Sequence, residues 1–597
     1  MAARTIYSLL EEAVTQYGEA KALHQPRLVG KERSYQTWTW PQYRDAVREI
    51  ACGLRAIGVQ PGEVVALGSE TRAEFYLTDL AIMTNGSTAA ALYANSLPAD
   101  QVKALRNCGA RVVFLEDPKY LKSLLAAGGA ELNVQWILLT GAADGLSTLD
   151  DLRARGQAAL REDPGCFERI CAAVQPADRA ILYLTSGATG EPKMVEVSHG
   201  ALVANVDMGP LAIPVGPRDR MLAFLPSAHI AQRIALELLA LRMGVPVWFS
   251  ESLARMPHEF KTVKPTFFLA PPRVWERVYS TVRTELQKLT GFKRTLAFTA
   301  LGAGQKAAQR RQRGESVPFH LALPLKLFDK LVFAKIRDRF GGQLRFPISG
   351  AAPLSTDLGL FYDMIGLPLI EGFGLTEGGI NCLNPVDKPR LGSIGKPLPG
   401  VVMKISEEGE LLIQSPSNAT GYFNDPAATA AVFRDGWLYT GDLATISSDG
   451  FVSIVGRKKE MIVSSNGKKI YPSRVEALFK TEPLISQVVL AGEQQPYVTA
   501  LFTLNPAAAE ALEGMNGKPL AALAKEPAVL TAVKRAVERA NRELAVYEAI
   551  KKFRILDRDL SIEGGELTPT MKVRTKKVLE KYAPLIQEMY GSKDDLL

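Results

Sequence analysis

The sequence predicts an α/β protein in which a large N-terminal domain of mostly parallel sheets wrapped by helices precedes a small α+β domain. Three observations lead to this fold class. Short apolar segments alternate with amphipathic helical segments in the first half of the chain, short β segments with Gly/Asp/Asn turns follow at about 392–456, and 597 residues exceed a single core. The charged segment Gly456–Glu460 divides the chain, which predicts domains at 1–457 and 458–597.

Apolar segments of four or five residues are the strongest evidence for the sheets. Segments of this kind, bounded by helical patterns, are typical of buried parallel strands, whose ligands bind at the carboxyl ends of the strands. In the N-terminal domain they lie at 64–67, 112–115, 136–139, 181–184, 221–225, 245–249 and 267–270.

Composition excludes several classes of protein. With 47% hydrophobic and 22% charged residues the chain is neither disordered nor fibrous. No apolar run reaches the roughly 20 residues that span a bilayer, and the N-terminus lacks a signal-peptide pattern, so we expect a cytoplasmic protein. Five scattered cysteines without a CxxC pair and five histidines without an HExxH pattern predict neither disulfides nor a transition-metal site.

The net charge of +8 indicates the kind of partner. It suits a polyanionic small ligand or an anionic membrane surface, and no nucleic-acid-binding motif accompanies it. A cluster of Lys and Arg residues lies between Arg283 and Arg313, and Glu285 is the one acidic residue in that segment. The apolar residues of this segment form one face of a predicted helix. That helix is either an ordinary solvated basic helix or a helix that lies on the inner face of a membrane.

A glycine-rich loop at 185–193 follows the strand predicted at 181–184. Glycines let backbone N–H groups approach an anion, the hydroxyls of Thr185, Ser186 and Thr189 add donors, and Lys193 adds a positive charge. The spacing is not that of a Walker P-loop. Taken alone, the segment is equally compatible with a surface turn. Two further strand ends of the same character favour a phosphate-binding loop.

Those two strand ends lie at 344–354 and 369–379. The first ends in Gly350, Ala351 and Ala352, a thin backbone wall against which a flat ring can lie. The second offers Phe373 for stacking and then Glu377, a hard oxygen ligand of the kind that Mg²⁺ prefers.

Two side chains further along the chain have both a functional and an ordinary interpretation. Asp442 follows a turn and is suited to accept hydrogen bonds from ribose hydroxyls, although it also fits a turn-capping aspartate. Lys572 lies in an exposed loop before a terminal helix and, taken alone, is an ordinary surface lysine. The small domain that contains it is predicted from a hairpin at 465–470, strands at 488–491, 498–504 and 553–556, and a helix at 529–544.

Taken in order, these segments resemble the acyl-adenylate-forming superfamily of acyl-CoA synthetases, adenylation domains and beetle luciferases. The resemblance extends over nearly the whole chain, and the loop at 185–193 is similar to the family's TSGTTGxPKG loop. Within the superfamily the chain is most similar to long-chain fatty acyl-CoA synthetases, because of an insertion at about 283–340 and the segment Leu567–Lys572.

The resemblance implies a two-step reaction with ATP, Mg²⁺, a long-chain fatty acid and coenzyme A. The fatty-acid carboxylate attacks the α-phosphate of ATP to give acyl-AMP and pyrophosphate, and the coenzyme A thiol then displaces AMP. Catalysis is assigned to Lys572, Glu377, Thr185 and His229, with Thr185 and Glu377 positioning Mg²⁺. The implied ATP-binding residues are Thr185, Ser186, Gly187, Thr189, Gly190, Lys193, Gly350, Ala351, Ala352, Glu371, Gly372, Phe373, Gly374, Thr376, Asp442, Arg457 and Lys572.

The resemblance also implies that the small domain is mobile. It would rotate about a hinge at Lys459, so that Lys572 faces the site during adenylation and the turn at Gly467 faces it during thioester formation. Three positions depart from the family pattern: Ala188 replaces a threonine, Met194 replaces a glycine, and Phe373 replaces a tyrosine. Loss of one hydroxyl costs about 0.5–1.5 kcal/mol, so ATP binding should survive.

Two alternative functions stay open at this point. One is a ligase that loads its acyl group onto a carrier protein or stops at the acyl-adenylate. The other is a degenerate, membrane-associated relative that binds ATP without turnover, an alternative based on Ala188 and Met194.

Overall fold

A computed structural model describes residues 4–29, 32–185, 193–512 and 514–591. The large domain contains two mostly parallel sheets whose side chains share one hydrophobic core. The α/β fold predicted from the sequence is confirmed. Among the described residues, no helix is both long enough and apolar enough to cross a membrane.

The first sheet has nine strands and contains the two strand ends predicted to bind a nucleotide. Its central pairs are parallel, and antiparallel strands close both edges. In spatial order the strands are Lys396–Pro397, Gly379–Leu383, Ile370–Leu375, Phe346–Ser349, Phe267–Ala270, Met221–Ala223, Val247–Phe249, Lys21–Val29 and Glu32–Thr39.

The second sheet has eight strands, and one of them leads into the glycine-rich loop. The strands Val64–Gly68 and Thr88–Leu92 are buried along their whole length, as expected for parallel strands covered on both faces. In spatial order the strands are Gly421–Tyr422, Lys193–Ser198, Arg179–Thr185, Thr88–Leu92, Val64–Gly68, Val112–Leu115, Gln135–Leu138 and Ser147–Thr148.

A five-stranded antiparallel sheet follows in the sequence and packs beside the large domain's core. Its last strand, Val452–Arg457, does not alternate strictly between buried and exposed residues, and it ends at Arg457. The strands are Val402–Ile405, Glu410–Gln414, Phe433–Arg434, Trp437–Ile446 and Val452–Arg457.

Helices cover the sheets of the large domain. The helix Trp40–Ala56 shows why a helix forms at such a position. Thr39 and Gln42 form a capping box at its start, and a continuous apolar face from Trp40 to Leu54 is buried. The helices are Ile6–Tyr17, Trp40–Ala56, Ala73–Thr84, Pro98–Cys108, Pro118–Ala126, Gly129–Glu131, Leu149–Glu162, Cys166–Ala173, His199–Ala212, Ile230–Gln232, Arg233–Leu238, Leu239–Met243, Met256–Val263, Pro272–Gln287, Gly291–Gln312, Phe319–Phe328, Asp329–Phe333, Ala334–Arg337, Asp338–Phe340, Thr356–Met364 and Pro426–Val432.

The basic segment at 283–313 differs from the single amphipathic helix expected from the sequence. One helix ends at Gln287 and the next begins at Gly291. The second helix buries only small residues, including Ala297, Ala300 and Gly304, while Phe292 is exposed. Close packing on the helix Thr356–Met364 explains the small residues, because a Cβ on Gly304 would lie 2.7 Å from the Met364 carbonyl oxygen.

The small C-terminal domain packs a three-stranded sheet and its helices around a core of its own. The sheet consists of Ile485–Ala491, Val498–Leu504 and Ile550–Ile555, and a short hairpin pairs Ile462–Val463 with Lys469–Ile470. The helices are Lys458–Glu460, Pro472–Ala477, Pro506–Glu510, Leu520–Leu523, Pro527–Asn541, Thr575–Lys581 and Ala583–Gly591.

Candidate active site

The candidate site lies at the carboxyl ends of strands from both large sheets, with the small domain above it. Of the predicted phosphate loop, Ser186, Gly187, Ala188, Thr189 and Gly190 lie outside the described residues. Thr185 ends the strand that leads into the loop, and its side chain also lies outside the described part. Lys193 begins the returning strand, and its ammonium lies 4.7 Å from the ring centroid of Tyr422.

The wall at Gly350–Ala352 projects from the end of the strand Phe346–Ser349. Ala351 has a φ of +66°, a left-handed conformation that costs a residue with a Cβ roughly 1 kcal/mol. A Cβ on Gly350 would lie 3.4 Å from the carbonyl oxygen of Gly372, so this loop and the next approach closely. Strained backbone at a strand end is common at ligand sites.

Glu371 lies at the base of this wall and is 7% exposed. Its Oε1 accepts a hydrogen bond from the backbone N–H of Leu354 at 3.1 Å. Burial raises its pKa to about 8, against the opposing effect of that hydrogen bond. At neutral pH the carboxyl is therefore mostly protonated and able to donate a hydrogen bond.

The next turn places Phe373, Gly374, Thr376 and Glu377 in sequence at the end of the strand Ile370–Leu375. Phe373 is half-buried, with one side packed on the core of the five-stranded sheet. Gly374 has no room for a side chain, because a Cβ would lie 2.5 Å from the Gly379 carbonyl oxygen. The turn is thus held tightly while Thr376 and Glu377 stay partly accessible.

Glu377 is fixed by a residue that the sequence analysis missed. The Tyr422 hydroxyl donates to Glu377 Oε1 at 2.7 Å, and the same ring lies under the Lys193 ammonium. Tyr422 therefore links the carboxylate predicted to hold a metal with the lysine predicted to hold phosphate. No sequence signal distinguishes it from a core tyrosine.

Asp442 and Arg457 form an ion pair across neighbouring strands, with Arg457 Nε 2.9 Å from Asp442 Oδ1. The Asp442 side chain is 5% exposed, and burial raises its pKa above the ordinary value although Arg457 opposes this shift. Arg457 is half exposed at the end of the last strand before the small domain. A buried carboxylate beside an accessible guanidinium suits a polar ligand with vicinal hydroxyls.

Lys572 lies over this ion pair, although its loop belongs to the other domain. Part of the side chain faces solvent, yet burial between the domains and the positive charge of Arg457 lower the pKa of its ammonium. The carboxylates of Asp442, Glu460 and Glu377 oppose that shift. The structure thus brings together residues that are far apart in sequence, and Glu460 joins them although the sequence analysis placed it in a linker.

The Lys572 loop has a rigid frame. The backbone N–H of Thr568 donates to the Lys572 carbonyl oxygen at 2.8 Å, the Thr568 hydroxyl accepts from the Lys572 N–H at 3.0 Å, and Met571 has a φ of +63°. The side-chain amide of Asn95, in the large domain, donates to the Pro569 carbonyl oxygen at 2.8 Å. This contact holds the loop over the cleft.

An ionic cluster supports the same loop from behind. Glu566 is almost fully buried and contacts Arg558, Lys581 at 2.9 Å, and the Tyr582 hydroxyl at 3.3 Å. Burial favours the protonated acid, but the hydrogen bonds from Arg558 and Lys581 outweigh it and lower the pKa of Glu566 to about 2. Neither Glu566 nor Asn95 stood out in the sequence.

His229 caps a helix that runs into the core from the cleft. Its Nδ1 accepts a hydrogen bond from the backbone N–H of Ala231 at 3.1 Å. Burial and the positive charge of Lys572 lower its pKa to about 4, so the ring is neutral at pH 7. Because Nδ1 is the acceptor, the proton resides on Nε2, which is available as a donor.

The remaining two predicted residues lie in the small domain. Lys459 belongs to the short helix Lys458–Glu460, directly after the strand that ends at Arg457. Gly467 lies in the tight turn of the hairpin, with a φ of +76° and no atom within 4 Å of a Cβ built on it. In this arrangement Lys572 interacts with the charges of Arg457 and Asp442, and the turn at Gly467 is exposed to solvent.

Comparison with known proteins places this geometry in a family. Residues 10–423 match the AMP-binding enzyme family, and residues 459–594 match the AMP-binding enzyme C-terminal domain. A long-chain-fatty-acid–CoA ligase of Mycobacterium bovis is 36% identical over 566 residues, covering 93% of this chain and 92% of that protein. A long-chain-fatty-acid–CoA ligase of Rattus norvegicus is 28% identical, covering 98% and 93%.

Solved structures agree at the level of the fold. The adenylation domain of a carboxylate reductase from Mycobacterium chelonae superposes with a TM-score of 0.76 at 22% identity, covering 99% of this chain and 92% of that one. An anthranilate CoA ligase in complex with anthranoyl-AMP gives a TM-score of 0.74 at 19% identity, covering 98% and 99%. With a family match over most of its length and a relative at 36% identity, the chain belongs to the AMP-binding enzyme family.

Proposed function

We propose that the protein is a long-chain fatty acid–CoA ligase that forms AMP. The observation that supports this most directly is the placement of Lys572 beside Asp442 and Arg457, at the strand ends where the family's nucleotide site is expected. The similarity to long-chain-fatty-acid–CoA ligases along nearly the full chain supports the substrate class.

In the first step, a fatty-acid carboxylate oxygen attacks the α-phosphorus of ATP and the bond to pyrophosphate breaks. Negative charge develops on the oxygens around that phosphorus. The Lys572 ammonium supplies a positive charge there, and its rigid loop holds that charge in place before the reaction. The neutral His229 ring offers its Nε2–H to an oxygen of the carboxylate or of the α-phosphate.

The nucleotide is held by groups that do not react. Asp442 accepts hydrogen bonds from the ribose hydroxyls, and the wall at Gly350–Ala352 and Phe373 enclose the adenine. Glu371, protonated at neutral pH, donates a hydrogen bond that an ionised carboxylate is unable to make. Holding carboxylate and α-phosphate in line contributes several kcal/mol to the rate.

Mg²⁺ would enter with ATP, and the donor set at this position fits it. Glu377 is a hard carboxylate ligand, oriented by Tyr422 through one oxygen, and we assign Thr185 as a second ligand. Bound there, Mg²⁺ would neutralise phosphate charge. Among the described residues no cluster of three or more His, Cys, Asp and Glu side chains could hold a metal by itself, which suits an ion bound largely by phosphate oxygens.

In the second step the coenzyme A sulfur attacks the acyl carbonyl carbon, the bond to AMP breaks, and the thiol proton is lost to solvent. We propose that the small domain first rotates about Lys459, so that the turn at Gly467 replaces Lys572 at the site. The exposed position of Gly467 and the location of Lys459 directly after the last strand of the large domain support this assignment.

The acceptor is tested by supplying different thiols to the purified protein. With palmitate and ATP, we expect AMP release that requires coenzyme A and yields palmitoyl-CoA. Release that requires a phosphopantetheinylated carrier protein would favour the carrier-loading alternative instead. No pyrophosphate release with any member of a saturated fatty-acid series would favour a degenerate relative.

We also propose that the protein contacts an anionic membrane peripherally. Its net charge of +8 and the exposed basic residues of the helix Gly291–Gln312, among them Lys293 and Arg294, support such a contact. A fatty acid that partitions into a bilayer is most concentrated there, so the contact would bring the enzyme to its substrate.

A further inference from the structure

The helix Phe319–Phe328 is the most apolar surface element of the large domain that we identify. None of its ten residues is buried, although seven of them are Phe, Leu or Ala. Between this helix and the helix Gly291–Gln312 lies an open groove of about 420 Å³, lined in part by Arg311, Val317 and Leu325. Leu325 and Phe328 pack partly against the core, but packing leaves the exposed Phe319, Leu323 and Leu327 unexplained.

The exposed side chains of this segment form one stripe. Phe319 is 80% exposed, Leu323 and Leu327 are each 57% exposed, and Leu331, in the π-helical continuation Asp329–Phe333, is 38% exposed. Within the α-helix a spacing of four residues advances about 40° per step, so Phe319, Leu323 and Leu327 lie on one face, and Leu331 follows in the π-helical continuation. We call this face the apolar stripe.

Positive charges adjoin the apolar stripe, and the segment's acid is paired with an arginine. At about 100° per residue, Lys326 lies about 20° beyond Phe319, at one edge of the stripe, and Lys330 follows in the π-helical continuation. Both lysines are exposed. Asp329 is about half exposed and forms an ion pair with Arg337 at 2.6 Å, which offsets its negative charge.

This arrangement selects among the partners that an apolar surface can have. A second copy of the chain would bring the same lysines face to face across a two-fold axis, which opposes association. An anionic bilayer accepts the stripe among its acyl chains and the lysines among its phosphates, as interfacial helices with basic edges do. Charge complementarity therefore favours the membrane.

We propose that residues 319–331 are the membrane-docking element, with the apolar stripe inserted below the headgroups of an anionic phospholipid bilayer. The inference deepens the peripheral contact proposed above and rests on it. It places the apolar part of the contact outside 283–313, where the expected amphipathic helix is interrupted between Gln287 and Gly291.

The test is sedimentation of the full-length protein with vesicles of phosphatidylcholine containing 30% phosphatidylglycerol, and with pure phosphatidylcholine vesicles. Replacing the two lysines by glutamine should weaken binding to anionic vesicles about 30-fold, because each basic residue near the surface contributes a factor of about five. Replacing three stripe residues by serine should weaken it on the order of 100-fold. The variants are Lys326→Gln with Lys330→Gln, and Phe319→Ser with Leu323→Ser and Leu327→Ser.

Matched controls come from the same chain. Leu253 and Val546 are 58% and 84% exposed and lie outside this segment, so replacing both by serine should leave vesicle binding unchanged. The exposed Lys534 and Lys576 provide the equivalent control for charge. The proposal is wrong if the stripe variant binds as well as the parent, if the controls lose as much as the stripe variant, or if the parent is a dimer that the stripe variant separates.

A second measurement separates this inference from the proposed enzyme activity. Acyl-CoA formation from detergent-dispersed palmitate should be the same in the parent, the stripe variant and the lysine variant, since none of the altered residues lies at the nucleotide site. Vesicle binding without ligase activity in the parent would leave the docking surface standing and remove the proposed function. Ligase activity without vesicle binding would leave the proposed function standing and remove the docking surface.

Discussion

Replacing Gly467 by leucine should stop the second half-reaction while leaving the first intact. In the arrangement described here the turn at Gly467 faces solvent, with no atom within 4 Å of a Cβ built on it, so a side chain obstructs nothing while Lys572 occupies the site. After rotation the same side chain would stand where pantetheine passes. The variant should therefore form acyl-AMP and stall before the thioester.

The cost in stability can be worked out beforehand. The φ of Gly467 is +76°, and a left-handed backbone costs a residue with a side chain about 1–2 kcal/mol. Gly517, also in the small domain, has the same φ of +76° and equally open surroundings. Gly517→Leu should thus destabilise the domain by the same amount without affecting either half-reaction, which makes it a matched control.

The assay measures the two half-reactions separately: pyrophosphate release in a first turnover from ATP and fatty acid, and conversion of supplied acyl-AMP and coenzyme A. Gly467→Leu should retain the first and lose the second. Lys572→Ala should show the opposite pattern, with acyl-AMP formation reduced roughly 10²–10³-fold. Equal losses in both steps for either variant, or a Gly517→Leu variant as defective as Gly467→Leu, would refute the rotating domain.

Three further predictions concern carboxyl groups. Glu377→Gln should abolish adenylation without altering the melting temperature, since it keeps the volume and removes the anionic metal ligand; activity within a few-fold of the parent at saturating Mg²⁺ would contradict this. Glu371 keeps its proton up to about pH 8 when folded and loses it near its ordinary value of 4.5 when unfolded, so stability falls across that window by about 1.4 kcal/mol per pH unit. The melting temperature of Glu371→Gln should therefore rise relative to that of the parent between pH 5 and pH 8. A constant difference would refute the raised pKa of Glu371. Glu566, whose folded pKa is about 2, stabilises the fold above pH 4.5 and loses that contribution as the pH falls towards 2. Glu566→Gln should therefore cost about 3 kcal/mol at pH 7 and little at pH 2, and chemical denaturation at both pH values checks this.

The sequence was most informative where a motif follows an apolar strand. The turns at Gly350 and Phe373 were predicted because strand ends in parallel sheets converge. Asp442 was predicted from the turn expected before it, and it lies inside an antiparallel strand. The prediction of Lys572 as a site residue needed the family resemblance, because nothing in the local sequence distinguishes it from a surface lysine. Its proximity to Arg457 depends on how the two domains pack.

Other features depend on tertiary contacts and were missed for that reason. Tyr422 acts on Glu377 through a contact between residues 45 positions apart, and Asn95 reaches Pro569 across 474 positions. The basic segment was misjudged because its buried face consists of alanine and glycine, which periodicity of large apolar residues does not detect. The apolar stripe is visible only once the burial of its helix is known.

The polar contacts that hold the small domain over the cleft set how easily it changes orientation. Besides the hydrogen bond from Asn95, Arg273 reaches Ser486 at 3.4 Å and Asp559 at 3.8 Å, and its side chain is 40% exposed. Exposed pairs of this kind contribute about 0–1 kcal/mol each. Under the proposed rotation, two orientations separated by so little free energy would both be populated at equilibrium, and every 1.4 kcal/mol of difference in ligand binding would change their ratio ten-fold. Replacement of ATP by acyl-AMP in the cleft would then be sufficient to choose the orientation, and the proposed rotation would need no separate energy source to connect the two half-reactions.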